Sequence, residues 1–380
     1  MNKEPAPFKF GQLPGLFDFA DRDEERAQLI RNFSNNINTM LISPRRWGKS
    51  SLVKRVAEEM AIQRPEIKIC QIDMYQVRSE LDFYEILASS VVKAAASKWD
   101  EVSDYAKNFL TRLVPKITLS PEPTQELSFG FNLDEVQKRP SEILDLAERI
   151  CEAKDIRMVI CLDEFQNISL FPDQMAFQKM LRSHWQKHQK VSYCLYGSKR
   201  QMLTEFFTKA NWPFYRFGEI LFLQKIKTPH WVEFICRRFQ ETGKSITEIQ
   251  AERIALTMEN HPYFVQEMSQ NVWFRTSEIC NDETIDLAID TILTQYNILY
   301  RPMVERLSNP QLYYLKALCD NVQKLSSKDT IQKYQLGTSA NVLKIRKALE
   351  YQEVIDTMEG YPQFVDPTFR MWLQQKFFVR

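Results

Sequence analysis

The feature that most constrains this chain is a series of short, wholly apolar runs separated by stretches long enough for helices. The runs are TMLIS from Thr39, IKICQIDM ending near Asp73, RMVICLDEF, VSYCLYG and EILFLQKI. A strand wetted on one face alternates apolar and polar residues, whereas one apolar throughout must be covered on both. The pattern therefore predicts an α/β architecture, a parallel sheet with helices on both faces. Helices are expected over Asp23 to Asn32, about Ser50 to Ile62, about Glu80 to Lys98, and Ser141 to Lys154. KITLSPEPTQELSFGFNL, Lys116 to Leu133, interrupts the alternation with two β-like runs around a Pro/Glu turn, as an inserted hairpin or arm would. From Thr228 to about Leu299 the pattern is wholly helical. From Asn309 it changes to three short helical patterns followed by two β-like runs, EVIDTM and QFVDP, around Glu359-Gly360.

Composition excludes several classes. The 380 residues carry 50 Lys and Arg against 49 Asp and Glu, so a protein that coats nucleic acid through overall positive charge is ruled out, while a local basic face is not. Only 9 glycines occur, so each one at a motif position is informative. The 7 cysteines are dispersed and form no CxxC pair, and several lie inside apolar runs. They read as buried free thiols in a reducing compartment. The N-terminus, MNKEPAPFKFGQLPG, lacks an apolar signal core and no run is long enough to span a bilayer, so a cytoplasmic location without membrane association is expected.

The strongest local signal is ISPRRWGKSSLVKR, Ile42 to Arg55, between a strand and a helix. A phosphate loop needs inward-pointing backbone N–H groups at a helix N-terminus, a Lys on the β/γ-phosphates and a Ser or Thr hydroxyl on Mg²⁺. Gly48-Lys49-Ser50 meets the second half of that pattern, while Ser43, followed by Pro44, stands where the first glycine is usual. The second signal is Asp163-Glu164 at the end of an apolar strand. In a nucleotide hydrolase the Asp joins the Mg²⁺ shell and the Glu polarises the attacking water. The next strand ends at Gly197-Ser198, where Ser198 is placed to sense the γ-phosphate; it reads equally as a helix cap.

Together these segments resemble the P-loop ATPases of the AAA+/STAND group, most closely the archaeal-type ATPase family. FADRDEERAQLI is similar to that family's upstream box, which implies that Arg22 and Glu25 fix the segment beside the adenine, with Asp21 where related groups often have Gly. SPRRWGKSSLV resembles the family's own phosphate loop, which implies ATP contacts from Pro44, Arg45, Arg46, Trp47, Gly48, Lys49, Ser50 and Ser51. FYRFGEILFL resembles the segment entering the fifth strand, which can carry an arginine finger, here Arg216. ENHPYFVQ resembles the box of the helical lid whose Pro packs near adenine; Pro262 carries over and Asn260 replaces the Gly. The end, through VIDTMEGYPQFVDPTFRMWL, resembles the family's winged helix. The resemblance implies an ATPase αβ domain over residues 1–227 with the arm at 116–133, an α-helical lid over 228–307 and a winged helix over 308–380. The nucleotide would lie between the αβ domain and the lid.

In the winged helix, Thr338 to Glu350 is the expected recognition helix, carrying Lys344, Arg346 and Lys347 as candidate DNA contacts. From Asn309 onward ten Lys and Arg face seven Asp and Glu, and Glu353, Asp356 and Glu359 in the wing would repel a phosphate backbone. A DNA contact and a protein-docking or structural role stand about level. His184 and His188, spaced i, i+4, lack a third ligand nearby and read as scaffold. The reading is then an ATP-binding, Mg²⁺-dependent ATPase that uses hydrolysis as a switch, with Ser50 and Asp163 on the metal, Lys49 on phosphate, Glu164 on water, Ser198 as sensor and Arg216 completing a neighbouring site in a homo-oligomer. The alternative is a nucleotide-regulated DNA-binding or scaffold module with little or no hydrolysis.

Overall fold

The computed structural model describes residues 6–11, 19–96, 116–118, 128–130, 139–357 and 360–379. The chain forms two compact units: Arg22–Gln224, and Met1–Asp21 together with Lys225–Arg380.

The first unit is built on five parallel strands: β1 (Thr39–Ile42), β2 (Ile67–Asp73), β5 (Arg157–Asp163), β6 (Val191–Gly197) and β7 (Glu219–Phe222), in the order β2-β5-β6-β1-β7. The apolar runs are strands for the reason expected, since both faces are covered. Successive residues alternate between two cores. Met40, Ile42, Met158, Ile160, Leu162, Tyr193 and Leu195 face one side; Leu41, Val159, Cys161, Cys194 and Tyr196 face the other. Helices α1 (Asp23–Ser34) and α2 (Lys49–Gln63) cover the second side through Leu29, Phe33, Leu52, Val53, Val56 and Met60. Each of those four α2 side chains contributes roughly 1.5–3 kcal/mol by leaving water. Helix α3 (Glu80–Ala95) starts in a capping box, Ser79 with Asp82, and buries Phe83, Leu87 and Val91 in the first core.

Between α3 and β5, β3 (Lys116–Thr118) and β4 (Ser128–Gly130) pair antiparallel, as expected of a hairpin arm; residues 119–127 and 131–133 of that arm lie outside the described residues. The helix expected over Ser141 to Lys154 is two, α4 (Pro140–Leu144) and α5 (Leu146–Lys154), separated at Asp145. Next come a 3₁₀ turn (Phe165–Leu170), α6 (Gln174–Trp185) and α7 (Arg200–Thr208). On α6 and the turn after it, His184 Nδ1 and His188 Nε2 both face Asp145 Oδ1, at 2.8 and 3.1 Å, and His188 Nδ1 faces the Tyr193 hydroxyl. The histidine pair thus organises a carboxylate at the helix break. Among the described residues, no group of His, Cys, Asp and Glu is arranged to hold a metal.

The second unit begins with helices α8 (Thr228–Gln240), α9 (Glu248–Thr257), α10 (Pro262–Arg275) and α11 (Asp282–Glu305). Its core takes in Phe8, and the adjacent backbone is tied down as well: Gln266 Oε1 accepts from Lys9 N, while Arg238 Nε and Gln270 Nε2 donate to the Pro7 and Phe8 carbonyls. These contacts explain why the N-terminal residues cluster with the helical unit and not, as the 1–227 division had it, with the αβ unit. Then follow α12 (Asn309–Cys319), α13 (Lys328–Lys333), α14 (Ser339–Tyr351), the antiparallel pair β8 (Ile355–Asp356) and β9 (Gln363–Phe364), and α15 (Pro367–Trp372). This is a winged helix, and Leu293, Tyr300 and Val304 of α11 belong to its core. Glu359, at the expected wing tip, lies outside the described residues. No described helix is long and apolar enough to cross a membrane.

Candidate functional site

In a parallel sheet all strands end at one edge, and loops leaving that edge line the crevice where ligands bind. β1, β5 and β6 deliver the motif residues there. Ile42 is in register with Gly197, so the phosphate loop and Ser198 leave adjacent strands side by side. β6 separates β1 from β5, and the acids of β5 meet the loop across it.

The loop Ser43–Gly48 ends in a left-handed residue, Gly48 (φ 88), which opens α2; nothing lies within 4 Å of where its Cβ would be. The glycine is there for its backbone angle. Arg46 is left-handed too (φ 61), whereas Ser43 is not among the positive-φ residues. The backbone at Ser43 therefore makes no demand for glycine, which accounts for the departure from the usual loop pattern. Ser43 instead contributes polar atoms: Lys49 Nζ, 6% exposed, donates to Ser43 O at 3.0 Å, Ser43 Oγ at 3.2 Å and Pro44 O at 2.8 Å. Arg45 and Arg46 are exposed, while Trp47 and Ser51 are buried.

Ser50 Oγ donates to Asp163 Oδ2 at 2.5 Å, and Asp163 Oδ1 accepts from Glu164 N at 2.8 Å. Burial raises the Asp163 pKa above the ordinary value; the Ser50 hydrogen bond and the Lys49 charge pull the other way without cancelling it. A hydroxyl and a desolvated carboxylate in direct contact are two hard oxygen donors of the kind Mg²⁺ takes, so the residues fit such an ion. Glu164 leaves β5 in a left-handed conformation (φ 52). Its Oε2 accepts from Ser198 Oγ at 2.8 Å and Ser198 N at 3.4 Å, and from Gln166 Nε2. Ser198 is thus bonded to Glu164. The cap of α7 is Lys199, so the helix-cap reading of Ser198 does not hold. Gln166 carried no signal in the sequence beyond its position two after Glu164.

Arg22 is 4% exposed and left-handed (φ 102). It donates to Glu25 Oε1 at 2.7 Å, to Gln224 O at 2.6 Å and to Trp47 O at 3.3 Å. One side chain therefore ties the start of α1 to the phosphate loop and to the end of β7.

Of the other predicted residues, Arg216 lies in the same unit as this cluster, and Pro262, Lys344, Arg346 and Lys347 belong to the second unit. Arg216 precedes β7, at the strand's entry and so at the edge opposite the phosphate loop; it is exposed, left-handed (φ 51), and its guanidinium lies 5.2 Å from the Tyr215 ring centre. The length of the sheet therefore lies between Arg216 and the loop of its own chain. Pro262 opens α10 of the helical unit, preceded by Glu259 and Asn260, both left-handed (φ 50 and 58). Asn tolerates that conformation better than most residues, and Asn260 Nδ2 donates to Thr228 Oγ1 at 3.0 Å, so Asn does here what a glycine would. Lys344 and Lys347 are exposed on α14, while Arg346 pairs with Glu350 at 3.7 Å.

The family profile described as a probable winged helix domain matches residues 298–375. No curated protein matches the sequence. Among solved structures, the Walker-type ATPase of Pyrococcus abyssi aligns with a TM-score of 0.63 at 18% identity, over 97% of this chain and 99% of that one. The ORC2 protein of Aeropyrum pernix, in ADPNP-ADP complexes, aligns with a TM-score of 0.58 at 14% identity, over 98% of each chain. Its ADP form gives 0.55 at 14% identity, over 99% of each. At such identities the likeness is one of fold. The chain has a P-loop NTPase fold, a five-stranded parallel sheet flanked by helices, continued at its C-terminal end by a winged helix.

Proposed function

We propose that the protein binds ATP with Mg²⁺ and hydrolyses it, with nucleotide state acting as a conformational switch. The carrying observation is the contact of Ser50 Oγ with Asp163 Oδ2 at the mouth of the Gly48-Lys49 loop, with Glu164 beside it. Ser50 and Asp163 would hold the cation, which supplies neutralisation of phosphate charge when bound. Lys49, released from the Ser43 and Pro44 carbonyls, takes the β/γ-phosphates, helped by the backbone of Gly48 and Ser51. Glu164 accepts a proton from water as the water oxygen bonds to the γ-phosphorus and ADP departs with the bridging oxygen. Ser198 couples Glu164 to the γ-phosphate. Arg22, Glu25 and Trp47 hold the nucleotide side of the loop, with Arg45 and Arg46 at its exposed rim.

ATP turnover of Lys49→Ala and Glu164→Gln tests this. Both are expected to lose it, Lys49→Ala with loss of ATP affinity and Glu164→Gln without. Turnover surviving in both removes the reading. Seven free cysteines, six of them buried, support a reducing, cytoplasmic setting.

A second reading is favoured by the exposed Lys344 and Lys347 on the winged helix: nucleotide-regulated DNA binding with little hydrolysis. It predicts a DNA affinity that falls steeply with salt and weakens in Lys344→Ala/Lys347→Ala. Absence of binding to duplex or single strands at low salt, with and without ATP, eliminates it.

A further inference from the structure

We infer that Gln166 is a positioning residue for Glu164: its amide anchors Oε2, leaving Oε1 to face the attacking water. The inference rests on the hydrolytic reading of Glu164 given above.

The left-handed turn at Glu164 caps the 3₁₀ turn Phe165–Leu170, which sends Phe165 and Ile168 into the core and turns Gln166 back onto the acid. Gln166 is 2% exposed. Its Nε2 donates to Glu164 Oε2, the same oxygen that Ser198 Oγ and Ser198 N address, so the hydrogen bonds to this carboxylate end on one oxygen. Gln166 Oε1 is buried with no hydrogen-bond partner among the described residues. It fills the space that a Cβ on Gly197 would need, so the amide is wedged against the end of β6.

A buried amide oxygen without a partner is penalised by its lost hydration, and a Met or Leu of similar volume would bear no such penalty. What Gln adds over them is the single hydrogen bond to Glu164. Turning the amide over would set its oxygen against the carboxylate, so the nitrogen faces Glu164. A carboxylate pinned at Oε2 cannot swing about its terminal torsion. When the water oxygen bonds to the γ-phosphorus, its proton goes to Oε1, and the bond from phosphorus to the bridging oxygen breaks, the electron pair leaving with ADP. A misplaced base slows such a step without changing what binds.

The test is Gln166→Met, which keeps the volume and removes both amide atoms, with Gln166→Asn, too short to reach, serving where the first does not fold. The expected result is a fall in kcat of about 10- to 100-fold. KM for ATP and affinity for a non-hydrolysable ATP analogue should be unchanged. In a Glu164→Gln background the same change should give no further loss in single-turnover rate, because its target is already gone. Equal losses in both backgrounds, or an unchanged or faster kcat in the single variant, overturn the inference. A wild type that binds ATP without turning it over removes the hydrolytic reading and this inference with it. A wild type that turns over, matched by Gln166→Met, removes this inference alone.

Discussion

The Tyr300 hydroxyl, near the end of α11, donates to Oδ2 of Asp366 at 2.8 Å, joining two residues 66 apart in sequence. Asp366 Oδ1 accepts from Thr368 N and Phe369 N, which caps α15, and the Phe369 and Trp372 rings lie 5.0 and 5.7 Å from that of Tyr300. The stretch Asp366–Trp372, DPTFRMW, is therefore a structural clasp between α11 and α15. Tyr300→Phe removes one donor from a buried carboxylate and is expected to cost about 1–3 kcal/mol. Thermal melting with ATP turnover measured alongside checks it: the melting point should fall while kcat stays unchanged.

Asp163 is held above its ordinary pKa by burial, so at pH 7 its ionised form is a liability to the nucleotide-free fold. The sign follows: a carboxyl with a raised folded pKa destabilises above that pKa, and the penalty disappears as pH falls through it. Asp163→Asn should therefore melt at or above the wild-type temperature at pH 7, with the gap closing on acidification. The same variant should lose the stabilisation that ATP with Mg²⁺ gives the wild type. A variant that melts lower at pH 7 and recovers relative to wild type as pH rises contradicts the assignment.

Two glycines separate backbone angle from close approach. At Gly48 a Cβ meets nothing, so Gly48→Ala is penalised only by its positive φ, roughly 1–2 kcal/mol. At Gly218 a Cβ would collide with the carbonyl of Asn38, the residue that accepts from Glu219 N and Tyr193 N at the foot of β1. Gly218→Ala is expected to cost more, about 3 kcal/mol, because the obstacle is backbone. Denaturant melts of the pair give the order directly.

Arg22 is nearly buried and serves three partners, one of them the phosphate loop. Arg22→Ala leaves Glu25 and two carbonyls unpaired, and a loss of about 3 kcal/mol is expected. Nucleotide affinity should fall with it. Glu25→Gln, which keeps the carbonyl contacts, should be milder on both counts.

Much of this was legible in residues whose chemistry is local. Apolar strands covered on both faces, Gly48 at a left-handed helix start, and Asp163 at a strand end all carry their own signal. What was not legible depends on contacts remote in sequence. Nothing near Gln166 announces that it will turn back on Glu164, since that turn depends on the left-handed backbone of Glu164 and the packing of Phe165. Asp145, at the helix break, meets His184 and His188, about forty residues away. Phe8 joins the helical unit because its pocket is lined by residues more than two hundred positions later.

The sheet separates the phosphate loop from Arg216 by the full length of its strands. An arginine that serves the chemistry from there must arrive on another molecule, so turnover per chain should decline on dilution and disappear in Arg216→Ala. An arginine that only steadies its own loop leaves turnover per chain constant at every concentration.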